Sequence, residues 1–412
     1  MVSSSKDRHS GRRRMDAGDL APLVAQFTHQ LSEAGYTDFT VGGFDDAARH
    51  LAHWLAQGKT TVAVIDEAVI GRFARHRCRC PGSRRENHVS AKYMGRVRQF
   101  VEFLRERAIV RHETPRGLLA PNRRVVEFQG WLRQHRGLSE RTVDQHGRML
   151  LQLLPALGPR PHSWDAHGIR AVIVAETTRA SRGHVKKMAS ALRGYVRFLS
   201  AHGLCRAGLE HAVPIIPQWR LSTLPRYIDA AQVEQLIATC DTATPTGLRD
   251  RAILLLLARL GLRAGDIVSL RLDALDWPQA TVSVRGKGRR ETRLPLPQDA
   301  GDAVLAYLER ARPRAVSDQL FFMLNAPIRP ITGSGVITNV VRSAIRKAGI
   351  DAPTKGASLL RHSAATAMLR GGATLDLVGA VLRHRSPDMT AHYAKIDVTM
   401  LQQIAQPWPG DA

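Results

Sequence analysis

The chain has 412 residues, and its 60 lysines and arginines outnumber 36 aspartates and glutamates, for a formal net charge of +24. That length suits two or three domains of about 150 residues, and a chain this basic most often binds a polyanion, nucleic acid by default, with arginine enrichment from a GC-rich genome as the blander alternative. The longest apolar run, residues 252–258, is far short of the about 20 residues a membrane helix needs, and no signal-peptide pattern is present, so a soluble cytoplasmic protein is expected.

Residues 1–19 are rich in Ser, Arg and Asp and lack periodicity. They read as a disordered basic tail around Arg12-Arg13-Arg14. A helical domain is expected over 20–113. In FDDAARHLAHWL, Phe44, Ala48, Leu51, Trp54 and Leu55 share one face; residues 65–74 form a shorter helix; in AKYMGRVRQFVEFLRER, Met94, Val97, Phe100, Val101 and Leu104 point inward. The four cysteines, Cys78, Cys80, Cys205 and Cys240, show no disulfide spacing, which fits a reducing compartment. Cys78 and Cys80 lie near His76 and His88, but the C-x-C pair lacks a matching second pair. A basic loop with two thiols is expected there, and no metal.

A second helical domain is expected over 121–206, and it repeats features of the first about 100 residues on. GYTDFTV at 35–41 resembles GLSERTV at 137–143, and RQFVEFL at 98–104 resembles RGYVRFL at 193–199. Thr142, Arg148, Ser181, Arg182, Lys186 and Lys187 are polar or basic positions suited to a phosphate backbone or to plain solvation. Three prolines between 211 and 226 mark an extended linker, assigned to 207–226, and the last domain is expected over 227–412.

In that last domain Asp229 can cap a helix through Ile237. The segment DRAILLLLARL, 250–260, is apolar on nearly every face and reads as a buried helix, with Gly261 as its left-handed stop and Arg263 just beyond. Strands at 281–284 and 292–296 flank a turn, Arg285-Gly286-Lys287-Gly288, that holds Lys287 at its tip. Near the C-terminus come Ser358-Leu359-Leu360-Arg361-His362, then Leu382-Arg383-His384, then Tyr393. Ser386 can cap the helix carrying Tyr393, with Pro387 at its first position. Arginine, histidine and a phenol together suit attack on a phosphodiester: the phenol is the nucleophile and the cations hold the phosphate oxygens. Singly, each residue has a plainer reading, as an ion pair, a tight hairpin or a half-buried tyrosine. No carboxylate triad suited to a two-metal mechanism is evident.

GLRAGDIVSLRL, RGKGRRETRLPLP, LLRHSAATAML and LRHRSPDMTAHY occur in order and resemble the catalytic boxes of the tyrosine recombinases, or phage integrase family, in the style of integrases of bacterial transposable elements. The resemblance implies a mainly α fold with a small β-hairpin or sheet in the catalytic domain, preceded by N-terminal helical DNA-binding domains. It implies catalytic roles for Arg263, Lys287, Arg361 and His384, with Tyr393 as nucleophile. Asp266 matches a supporting acidic position, and His362 a histidine that is usually structural. Ser358 departs, because the family usually has histidine there. The second helical unit would be the core-binding domain, and Arg285 and Arg289, beside the hairpin tip, would meet DNA.

The implied activity is strand cleavage and rejoining through a 3′-phosphotyrosine, with no cofactor. It would serve integration or excision of a mobile element. Double-stranded DNA and a homotetramer on two sites are the implied partners, with a helix at 398–405 packing into a neighbour, and other recombinases of the same element as further partners. A catalytically weak DNA-binding partner and a type IB-like topoisomerase are the alternatives.

Overall fold

The computed structural model describes residues 15–78, 80, 90–110, 123–217, 225–285, 291–314, 317–384 and 386–394. Lys287, Arg289, His88, the basic cluster at 12–14 and the segment 398–405 lie outside them. Two compact units separate: residues 111–220 form one, and residues 1–110 with 221–412 form the other.

The first helices are α1 (Ala21–Glu33), α2 (Asp38–Gln57), α3 (Glu67–Arg75) and α4 (Ala91–Glu106). Thr37 caps α2, Asp66 caps α3 by accepting from Val69 N at 2.6 Å, and Ser90 caps α4. Their apolar faces meet in one core around Phe27, Leu51, Phe73, Phe100 and Leu104. The face read from the sequence on α2 is buried at Phe44, Ala48, Leu51 and Leu55.

The second unit holds α5 (Arg123–Arg136), α6 (Glu140–Leu157), α7 (Ala166–Thr177) and α8 (Arg182–Ala201), packed on Phe128, Leu150, Leu192 and Tyr195. Its helix order echoes the first bundle. In each, two helices lead to a single 3-10 turn, Val62–Val64 or Pro161–Ser163, and an aspartate two residues later, Asp66 or Asp165, caps the third helix. The glycines before the second helices, Gly35 and Gly137, both have positive φ, 85° and 53°. The sequence echo thus extends to capping chemistry and turn geometry.

The C-terminal part begins with α9 (Ala230–Ala238). Asp229 Oδ1 accepts from Gln232 N at 2.7 Å, while Gln232 Oε1 accepts from Asp229 N at 3.2 Å, a reciprocal cap. Next comes α10 (Pro245–Leu260), which starts five residues before the expected point because Thr244 caps it and Pro245 suits its first turn. Residues 252–258 of α10 are all buried, and each of its leucines contributes about 1.5–3 kcal/mol of burial. The helix stops at Gly261, φ 57°.

After α11 (Ala264–Ser269) come β1 (Leu275–Asp276), β2 (Thr281–Arg285) and β3 (Glu291–Pro295), an antiparallel sheet of order β1-β2-β3. Val282 pairs with Leu294 and Val284 with Thr292, and Val282, Val284 and Leu294 face the core. Then follow α12 (Gln298–Arg310), the small β4 (Phe322–Met323) and β5 (Arg329–Pro330) pair, α13 (Ser334–Ala348), α14 (Ser358–Arg370), α15 (Leu375–Val381) and α16 (Asp388–Ala394). Helix α10 packs against α12, α13 and α14, which makes it the central beam of this domain.

Candidate active site

The site is assembled where α10 ends. Gly261 turns the chain back so that Arg263 opens α11, and Arg263 N donates to Asp266 Oδ2 at 2.8 Å. Arg361, on the first turn of α14, is 7% exposed; its Nη1 donates to Gly261 O and its Nη2 to Leu382 O. One guanidinium thus ties the end of α10 to the end of α15. Burial pulls Arg361 down to about 10, and the nearby Arg263 charge pulls the same way. Its cationic form still dominates at neutral pH.

Tyr393, on α16, is 2% exposed. Its phenol lies 2.8 Å from Nδ1 of His362, one residue after Arg361. Burial raises the Tyr393 pKa, while the Arg361 and Arg263 charges oppose the rise. The His384 ring lies parallel to Tyr393, with centroids 6.3 Å apart and planes 4° apart. His384 Nδ1 is 2.7 Å from Thr390 Oγ1. Burial, then Arg361 and Arg263, lower His384 to about 4, so its imidazole is neutral at neutral pH. Burial, then His392 and Arg361, also lower His362.

Arg263, Arg361, His362, His384 and Tyr393 therefore sit together. Asp266 joins them through a buried ion pair with Arg383. The imidazole within reach of the phenol is that of His362, the position read from the sequence as usually structural; His384 instead faces Thr390. Ser358, the first residue of α14, is exposed. Helix α16 begins at Asp388, one residue later than expected, with Pro387 O accepting from Thr390 N and Ala391 N.

Arg383 was missed. It sits directly before His384 with φ 54°, a left-handed conformation that non-glycine residues rarely adopt. Its side chain is 8% exposed, and its Nε and Nη1 are buried with no hydrogen-bond partner among the described residues. The only sequence signal was one more arginine in a box already rich in cations.

The other positions expected to meet DNA lie on other elements. Arg148, Lys186 and Lys187 are exposed on α6 and α8, while Thr142 is half-buried and bonded to Ser139. Arg285, at the end of β2, is exposed and 3.5 Å from Glu291. The expectation of no metal at Cys78 and Cys80 rested on a missing second pair of ligands. In the structure His50 of α2 and His76 each bring a ring nitrogen within 4.8 Å of both thiols.

The phage integrase family profile matches residues 226–400. The chain is 34% identical over 406 residues to y4rA of Sinorhizobium fredii, whose name describes an integrase/recombinase; the match covers 97% of each chain. It is 32% identical over 290 residues to tyrosine recombinase XerC of Alcanivorax borkumensis, covering 68% of this chain and 91% of that one. Two solved structures share the fold. A lambda integrase (75–356) dimer bound to a COC′ core site aligns with TM-score 0.53 at 14% identity, over 70% of this chain and 98% of its own. The XerH recombinase bound to difH aligns with TM-score 0.52 at 17% identity, over 82% and 95%. The family boxes, the mainly helical fold and a relative matched along nearly its whole length agree: this chain belongs to the phage integrase family, the tyrosine recombinases.

Proposed function

We propose that the chain is a site-specific DNA recombinase that cuts and rejoins strands through a covalent 3′-phosphate on Tyr393. The observation that carries this reading is the buried phenol itself, 2.8 Å from an imidazole and under the charges of Arg361 and Arg263. A phenol with a reference pKa of about 10 is a weak nucleophile at neutral pH. In the forward step the phenol gives its proton to His362 Nδ1, and Tyr393 Oη attacks phosphorus. The bond from phosphorus to the 5′-oxygen breaks, and that oxygen takes a proton from Lys287, the role carried over from the family resemblance. An incoming 5′-hydroxyl reverses the steps.

Arg263 and Arg361 suit the charge that builds on the phosphate oxygens, and loss of one such preorganised donor costs about 10²–10³ in rate. Neutral His384 can accept the Thr390 hydroxyl proton at Nδ1, which leaves Nε2–H to donate to a phosphate oxygen. The substrate is double-stranded DNA at the ends of a mobile element, bound by four protomers on two sites, in the bacterial cytoplasm at the nucleoid. Residues 121–206 serve as the core-binding domain. The near-complete match to y4rA, against 68% coverage of this chain by XerC, supports an element-specific enzyme with an added N-terminal domain.

A second reading draws on Ser358. A short hydroxyl, exposed at the start of α14, replaces the larger, titratable donor usual in the family. That favours a slow member working beside a more active recombinase of the same element. One assay separates the two readings. The purified chain meets nicked suicide DNA from its own element, and a denaturing gel shows any covalent adduct. An adduct that Tyr393→Phe abolishes is the expected result. An adduct from Ser358→His alone supports the attenuated enzyme, and DNA binding with no adduct in any lane sinks the catalytic reading.

A further inference from the structure

We propose that the N-terminal helical bundle carries a structural zinc centre on His50, His76, Cys78 and Cys80. One ligand atom from each residue lies within 4.8 Å of all the others. Cys78 Sγ is 3.3 Å from His50 Nε2. Zinc bonds of about 2.0–2.1 Å to nitrogen and about 2.3 Å to sulfur imply tetrahedral edges of about 3.3–3.8 Å, so a small contraction closes the set on one ion.

Both imidazoles are held from behind. His50 Nδ1 lies 2.7 Å from the Tyr93 hydroxyl of α4, and His76 Nδ1–H donates to Phe73 O of α3. With the outer nitrogen of each ring so engaged, Nε2 is the nitrogen directed to a metal. This is the outer-shell arrangement that fixes ligand tautomer and ring angle. Apolar rings enclose the site: Phe73 lies 5.0 Å from His50 and 5.0 Å from His76, and Trp54 lies 5.8 Å from His76. His50 is 1% exposed and Cys80 8%.

The donor set selects the ion and its role. Two thiolates with two imidazoles and no carboxylate match zinc rather than magnesium or calcium. Four protein ligands leave no open position, which marks a structural rather than a catalytic centre. The need for such a staple is visible against the second bundle. There α7 passes to α8 through residues 178–181, whereas α3 passes to α4 through residues 76–90. The longer connection costs more to close, and an ion joining it to His50 of α2 closes it near its start. The spacing C-x-C hid the centre, because His50 lies 28 residues before Cys78, on α2.

The test uses the full-length chain without a polyhistidine tag, purified without chelator. Elemental analysis is expected to find about one zinc per chain. Cys78→Ser/Cys80→Ser should lose it, and Cys205→Ser/Cys240→Ser should keep it. The native chain, stripped and reloaded with cobalt(II) alone, should show a thiolate-to-cobalt charge-transfer band and the intense d–d bands of tetrahedral coordination. That spectrum decides the matter even where the cysteine variant fails to fold. A native chain that holds no zinc and gives no thiolate–cobalt band overturns the proposal, as does a cysteine double variant with unchanged metal content. None of these readouts depends on cleavage by Tyr393.

Discussion

The Tyr393 phenol lies 2.8 Å from His362 Nδ1, and the proposed proton transfer between them sets what a mutation should do. His362 is pulled below its ordinary pKa by burial, His392 and Arg361, so its neutral, proton-accepting form predominates at neutral pH. Cleavage should therefore stay flat through neutrality and fall only when acid protonates His362, below the usual histidine range. His362→Gln should slow single-turnover cleavage by about 10²–10⁴, the usual reach of general base catalysis, and erase that acid limb. DNA affinity should change little. An unaltered pH profile in the variant would move the proton to another group. Sequence alone named this histidine but not its neighbour, because the contact depends on a phenol 31 residues away reaching Nδ1.

At the scale of elements, α10 anchors the candidate site through the Gly261 carbonyl, which accepts from Arg361. Its almost unbroken apolar sequence was legible, since a helix buried on every side has no polar face to preserve. Its glycine stop was legible too. Less visible was the double duty of Gly261, whose carbonyl also accepts from Arg361. Gly261→Ala should strain a φ of 57° and bring a methyl group to 2.5 Å from Leu382. We expect a loss of about 1–3 kcal/mol in denaturant unfolding, together with a fall in cleavage beyond what the lost stability explains. A variant with wild-type stability and rate would mean that α10 and α15 can shift apart without disturbing Arg361. Elsewhere, Asp66 and Asp165 show how far local chemistry carries: an aspartate at the N-cap starts the third helix in the same way in both bundles.

For the whole molecule, charge is the dominant fact. A net charge of +24 spread along 412 residues calls for a long electrostatic contact with DNA. The logarithm of the binding constant should fall with the logarithm of salt concentration at a slope of about −0.9 for each phosphate neutralised. Fluorescence anisotropy across a salt series checks this, and a nearly flat response would rule out a wide clamp. Arg148, Lys186 and Lys187 are exposed and available for such contacts; Thr142, half-buried and bonded to Ser139, is less so.

The sequence by itself determined the buried helix that ends at Gly261, the Asp229 cap, the hairpin strands and the order of the family boxes. Those features are written in local periodicity and in turn residues a few positions apart. It also supplied the family, because four ordered motifs carry more information than any one of them. Only the tertiary structure decided which histidine meets Tyr393, that Arg383 reaches back to Asp266, and that His50 and His76 lie beside Cys78 and Cys80. Each of these joins residues on different elements. Side-chain packing fixes such distances, and no pattern of neighbours along the chain encodes them.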